Sequence, residues 1–224
     1  MQEIIDFLSR LAANNDRVWF NAHKDEYLMA KAKFEAFAMQ VLSGIRGFDP
    51  TIGDLDIKQC TYRIYRDTRF SRDKRPYKTH FGFFAIPGGK KSGYMGYYFQ
   101  IGVGEGYEGC FLAAGDYICE RKIVEMLRED IDVDNGEEFL AALASAKTFE
   151  VDFSQALKRV PAGYPADKPY SQYLRLKNFC LVKLVAPDYF TEPGAAERLV
   201  ADLATTRPFI SFVNRPIAYE AEER

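Results

Sequence analysis

The sequence predicts an α+β domain in which a central antiparallel sheet is flanked by N-terminal and C-terminal helices. Three observations carry that prediction. Apolar residues recur at helical spacing up to Gly47 and again from Ile118. Between Asp56 and Ala113 the spacing shortens to aromatic-rich runs joined by glycine-bearing turns. The helices also come in blocks and do not alternate with strands, which disfavours a βαβ repeat. The chain has 224 residues, 47% of them hydrophobic, and no repeat, low-complexity tract or linker, so a single domain over residues 1–224 is expected.

The elements follow in order. Glu3–Ala13 carries apolar residues at 4, 5, 7, 8, 11 and 12, a helical stripe that ends at Asn14-Asn15-Asp16. Phe20, His23, Tyr27, Ala30, Phe34, Phe37 and Val41 alternate three-four spacing, which puts them on one face of a second helix. Asn15 or Asp16 is its expected N-cap, and Gly44 with Gly47 its stop. Alternation of Tyr62 and Ile64 with Thr61, Arg63 and Tyr65 predicts a strand, followed by strands over Phe81–Ile86, Tyr94–Val103 and Tyr107–Ala113. Helical patterns return over Ile118–Glu129, Asn135–Ala146 and Pro193–Thr206, and Arg207-Pro208 separates the last from a short C-terminal helix. The stretch Phe153–Pro187 has mixed patterning and predicts no element.

Composition narrows the functional classes. The longest run without charged residues, Ser92–Gly104, has 13 residues and is glycine-rich, too short for the roughly 20 apolar residues of a membrane span. With acids at 3 and 6 and no apolar leader segment, the N-terminus reads as that of a cytoplasmic protein. The cysteines at 60, 110, 119 and 180 lack C-x-x-C spacing and have only His23 and His80 to join them, so reduced thiols are expected and no metal site. No cofactor is implied.

Several motifs have simpler readings. Gly104–Gly109 fits G-x-G-x-x-G but opens a strand, and Glu105 and Glu108 would repel a pyrophosphate, so a hairpin turn is expected. Asp130, Asp132 and Asp134 resemble a calcium loop whose glycine and terminal acid are misplaced; Asp134 with Glu137 reads as a capping box. Ile86–Gly93 lacks phosphate-loop spacing and reads as a hairpin connection. His23, on an apolar helix face, reads as a satisfied core histidine, with a general-base role as its functional alternative.

The charge pattern points to a site. Net charge is −2, yet residues 58–91 hold ten Lys/Arg against Asp67 and Asp73, a local +8 that leaves −10 elsewhere. Within RIYRDTRFSRDKRPYKTHFG a basic residue recurs at 63, 66, 69, 72, 75 and 78, a period of three that matches neither helix nor strand. The reading is a strand end feeding a thirteen-residue loop, Asp67–Thr79, anchored by Phe70 and Tyr77 and stiffened by Pro76. Arginine suits bidentate capture of phosphate or carboxylate. Three readings stand side by side: arginines paired with the protein's own carboxylates, an anion pocket, or an interaction surface for nucleic acid or an acidic protein.

Four blocks together, NNDRVWFNAHKDEY (14–27), RIYRDTRFSRDKRPYKTHFG (63–82), GYYFQIGVGEGYEGCFLAAGDY (96–117) and GYPADKPYSQYLRLKNF (163–179), resemble the conserved hypothetical family known as domain of unknown function 2461. The resemblance implies a single-domain α+β protein and supplies no activity. It suggests that the turn before the second helix, the basic loop and Leu174–Lys177 line one cavity. The expected site therefore places Arg66, Arg69, Lys74 and Lys78 on the anion, Tyr77 and Trp19 as ring contacts, and Arg175 with Lys177 as a second wall. His23 is the candidate for any acid-base chemistry. The expected partner is a phosphorylated or carboxylate-bearing small molecule, with nucleic acid the weaker reading at this net charge. No membrane partner is expected, and nothing in the sequence sets an oligomeric state.

Overall fold

The computed structural model describes residues 1–223. It is an α+β architecture with eight helices and a five-stranded antiparallel sheet among those residues. Helix α1 (Gln2–Ala13) buries Ile4, Ile5, Phe7, Leu8 and Leu11, as its stripe dictates. The second predicted helix is divided. Helix α2 (Arg17–Ala22) begins at Asp16, whose carboxylate accepts from the amides of Val18 and Trp19; the chain turns at His23 and continues as α3 (Lys24–Phe48). Helix α3 ends one residue past Gly47, at the expected stop, while Gly44 lies inside it. A Cβ on Gly44 would lie 2.5 Å from Val200 Cγ2, so this glycine serves close packing inside the helix.

Strands β1 (His80–Ala85), β2 (Gly96–Gly102), β3 (Cys110–Asp116), β4 (Glu150–Val151) and β5 (Phe179–Val185) are ordered β1-β2-β3-β5-β4. Most side chains of β1 and β2 are buried on both faces, hence their near-continuous aromatic character. β5 falls inside the stretch without readable periodicity, and pairs Val182 with Glu150 and Leu181 with Val151 of β4. Thr61–Tyr65 forms no full strand. It makes two isolated bridges, Thr61 with Phe83 and Tyr65 with Tyr77, because the chain bends between them.

The chain packs as two compact units: residues 1–85, 98–112 and 184–200, and residues 86–97, 113–183 and 201–223. The core of the first is aromatic, with Phe34 5.3 Å from Phe81 and 5.6 Å from Phe99, and Phe190 6.0 Å from Phe99. Each such pair adds about 0.5–1.5 kcal/mol beyond area burial. The second unit centres on Phe139, fully buried against Tyr173, Phe179, Phe209 and Phe212. It contains α4 (Arg121–Val133), α5 (Glu137–Ser145) and α8 (Arg207–Glu222), the last a 16-residue helix where a short one was expected. Helices α6 (Asp188–Thr191) and α7 (Ala195–Ala204) complete the set.

Of two expected local motifs, the capping box takes another form and the glycine-rich hairpin connection is found. Asp134 accepts from the amides of Gly136 and Glu138, and Gly136, left-handed at φ 76°, takes the N-cap position of α5, so the expected box with Glu137 is replaced by an aspartate turn. Gly104–Gly109 links β2 to β3 through a single 3-10 turn at Gly106–Glu108 and opens no helix, so it offers no helix terminus to a phosphate.

Candidate functional site

The basic segment is a closed finger shorter than its sequence suggests. The Arg66 amide donates to Pro76 O at 2.9 Å and the Lys78 amide to Ile64 O at 2.8 Å, which leaves residues 67–75 as the loop. Tyr77 is its anchor: 4% exposed, it stacks on Phe20 at 3.9 Å. Asn15 clamps the same residue, its Nδ2 donating to Tyr77 O at 3.0 Å and its Oδ1 accepting from Tyr77 N at 3.1 Å. The first two family-like blocks are thereby joined. Phe70, expected as a second anchor, is instead 95% exposed at the tip because no apolar neighbour reaches it.

Most of the predicted cations on the finger are occupied locally. Arg69 forks onto Asp67, Nε to Oδ1 at 3.0 Å and Nη2 to Oδ2 at 2.6 Å. Arg75 forks onto Asp73, and Arg66 reaches the same carboxylate from the other arm. Arg75 first, and Arg66 second, hold the Asp73 carboxyl well below the usual carboxylate range; Arg69 lowers Asp67 in the same way. Lys74 Nζ donates to Thr68 O at 3.0 Å, and Lys78 Nζ lies 4.9 Å above the Tyr62 ring. Solvent screens exposed pairs of this kind, so they shape the loop more than they stabilise the fold. Arg63 and Arg72 are exposed and make no hydrogen bond or ion pair among the described residues.

The remaining candidates sit elsewhere. Trp19 stacks on His23 at 4.1 Å, and His23 Nδ1 lies 2.8 Å from Trp19 O, so both are engaged within the α2–α3 turn. His80, in the sequence a candidate only as a metal ligand, opens β1; burial first, then the charges of Lys78 and Arg66, lower it to about 4. Its signal, a histidine two residues from a lysine at a strand start, is too common to have singled it out. Burial also pushes the Cys60 thiol up to about 11 and Cys119 to about 12, which keeps both protonated and poorly nucleophilic at neutral pH. Among the described residues no group of three His, Cys, Asp or Glu side chains is placed to hold a metal. None of the helices found among them is long and apolar enough to cross a membrane.

Arg175 and Lys177 belong to the second unit. There Arg175 lines a cleft of about 630 Å³ together with Lys158, Arg159, Lys168, Ser171 and Gln172. The wall is irregular backbone held by specific bonds. The Leu157 amide donates to Arg175 O at 2.8 Å and Arg175 Nε returns a bond to Leu157 O at 2.8 Å. Ser171 is buried; its Oγ accepts from Lys168 N at 3.1 Å and donates to Pro165 O at 2.7 Å. Below it Tyr170 packs on Gly136, where a Cβ would come within 2.5 Å, and its hydroxyl donates to Asp132 at 2.7 Å. That bond, reinforced by burial, raises the Tyr170 phenol to about 12. Arg128 holds the chain on either side of Arg175 by donating to Leu174 O and Leu176 O, both at 2.8 Å. The cleft's lining holds four cations and no carboxylate, the reverse of the finger, where aspartates take up most arginines. Lys177 is exposed and does not line it.

The sequence model of the conserved hypothetical protein family DUF2461 matches residues 3–212, and the chain belongs to that family. Comparison with curated proteins and with solved structures finds no match.

Proposed function

We propose that this family member binds a small anion, bearing phosphate or carboxylate groups, in the cleft of Lys158, Arg159, Lys168 and Arg175. One observation carries the reading: four cations converge on one concavity whose described lining contains no acid to neutralise them. A volume near 630 Å³ suits a sugar phosphate, a nucleotide or a dicarboxylate. Arg175 has Nε committed to Leu157, which orients its remaining guanidinium nitrogens as a fixed fork, while the lysines act as mobile point charges. Gln172 and the lysine ammonium groups add hydrogen-bond donors around it. With neither histidine nor carboxylate in the lining, the site is equipped to hold an anion more than to move a proton.

Thermal-shift titration with inorganic phosphate, a hexose phosphate, AMP, ADP and succinate tests this. Saturable stabilisation by at least one ligand is expected, growing as RT ln(1 + [L]/Kd), about 2.7 kcal/mol at a hundredfold excess over Kd. Lys158→Ala and Lys168→Ala, whose exposed side chains carry no ion pair, should each weaken it roughly tenfold. Absence of any response, or variants that respond like the parent, would remove the proposal.

A further inference from the structure

The finger 63–75 carries a second arrangement that the cleft does not use. Phe70 is the most exposed of the large apolar side chains among the described residues, and the Arg69 guanidinium lies 5.8 Å from its ring centroid. The segment that carries it holds six cations, Arg63, Arg66, Arg69, Arg72, Lys74 and Arg75, against Asp67 and Asp73 alone. The bridge between Tyr65 and Tyr77, the Asn15 clamp and the Arg66–Asp73–Arg75 link hold both arms together. Asp67 and Asp73 also each accept from the amide two residues on, Arg69 at 3.2 Å and Arg75 at 3.0 Å, which fixes the loop's two corners. The ring is therefore presented by a braced loop, and little ordering entropy is left to lose on contact.

We infer that this finger docks single-stranded nucleic acid, one base stacking on Phe70 while the neighbouring guanidiniums meet phosphates. A lone ring set among arginines is the combination used on single strands, whose bases offer open π-faces. A duplex hides those faces inside its stack. An anionic bilayer would be served by several apolar side chains at the tip, and here one ring stands alone. An acidic protein surface would satisfy the arginines and give the ring no flat partner. The residues outside 58–91 sum to a net −10, which leaves the finger and the cleft as the two basic places for a polyanion to meet, and the cleft variant below tells them apart. The exposed aspartate pairs are weak enough for phosphate to displace.

The test uses the full chain and fluorescence anisotropy with labelled dT12 and U12 strands, a 12-base-pair duplex, phosphatidylserine-containing vesicles and polyglutamate. Both single strands should bind with Kd of about 10⁻⁴ to 10⁻⁶ M at physiological salt, and more tightly at low salt, ahead of the duplex. Phe70→Ala, at a fully exposed position, should weaken binding about 5- to 100-fold and Phe70→Trp should restore it. Arg72→Ala should instead lower the slope of log K against log salt by about 0.7. Lys168→Ala in the cleft should leave strand binding unchanged, which separates this site from the anion cleft. Duplex binding as tight as single-strand binding, an inert Phe70→Ala, preference for vesicles or polyglutamate, or loss of strand binding in Lys168→Ala would each overturn the inference.

Discussion

Replacing Asn15 by alanine tests how the finger is held to the helical turn beneath it. Two partly buried hydrogen bonds are lost at once, Asn15 Nδ2 to Tyr77 O at 3.0 Å and Tyr77 N to Asn15 Oδ1 at 3.1 Å. A side-chain bond of this kind is worth about 0.5–1.5 kcal/mol net, and an unsatisfied partner left behind costs about 1–3 kcal/mol. The ladder leaves both backbone groups of Tyr77 unused, since its cross-arm bonds run from Arg66 N to Pro76 O and from Lys78 N to Ile64 O. Water can reach part of the site, so the sum is placed at about 2–3 kcal/mol, or a fall in Tm of roughly 4–12 °C for a chain of this length. Asn15→Asp keeps the acceptor for the Tyr77 amide and loses the donor, so it should fall between alanine and the parent. Urea titration gives the energy, and amide exchange at Tyr77 localises it. A loss below about 0.5 kcal/mol with unchanged exchange at Tyr77 would mean that stacking on Phe20 holds the finger by itself, and the clamp argument would fail.

Two further outcomes follow from the same geometry. His80 is lowered to about 4 by burial, with Lys78 and Arg66 adding to it, so the folded state favours the neutral ring. That contribution is present above the ordinary histidine value near 6.5 and is lost as pH falls through 4; it amounts to at most about 3 kcal/mol, and His80→Gln should flatten the stability profile over that window as measured by urea titration. Gly115 has φ +113° and a Cβ there would lie 2.0 Å from Phe179 O, so Gly115→Ala should cost about 3 kcal/mol or more, seen as poor expression or a markedly lower denaturation midpoint; a wild-type midpoint would contradict the β3–β5 register.

The site was partly legible. The local excess of charge, the Tyr77 anchor and the competing possibility of internal aspartate pairs are all visible in residues 63–82, because Asp67 and Asp73 sit two residues before Arg69 and Arg75. The cleft was not. Of its four cations only Arg175 stood out beforehand, since Lys158, Arg159 and Lys168 lie on irregular backbone with no period to group them. Phe70 looked like an anchor because an aromatic in a loop usually is one, and only the absence of apolar neighbours around it says otherwise.

Sequence alone determined what near neighbours govern: the apolar stripes of α1 and α3, the Asp16 cap, the aromatic strands β1 to β3 and the hairpin nature of Gly104–Gly109. Those signals act over one or two turns or a single pleat, within reach of a periodicity argument. Tertiary structure decided the break at His23, the packing role of Gly44 against Val200, and the short bridges that replace a strand at Thr61–Tyr65. It also decided which cations stand without an acid. Pairing and exposure depend on what the folded chain brings from far along the sequence, as Asn15 is brought to Tyr77, and no local pattern encodes that distance.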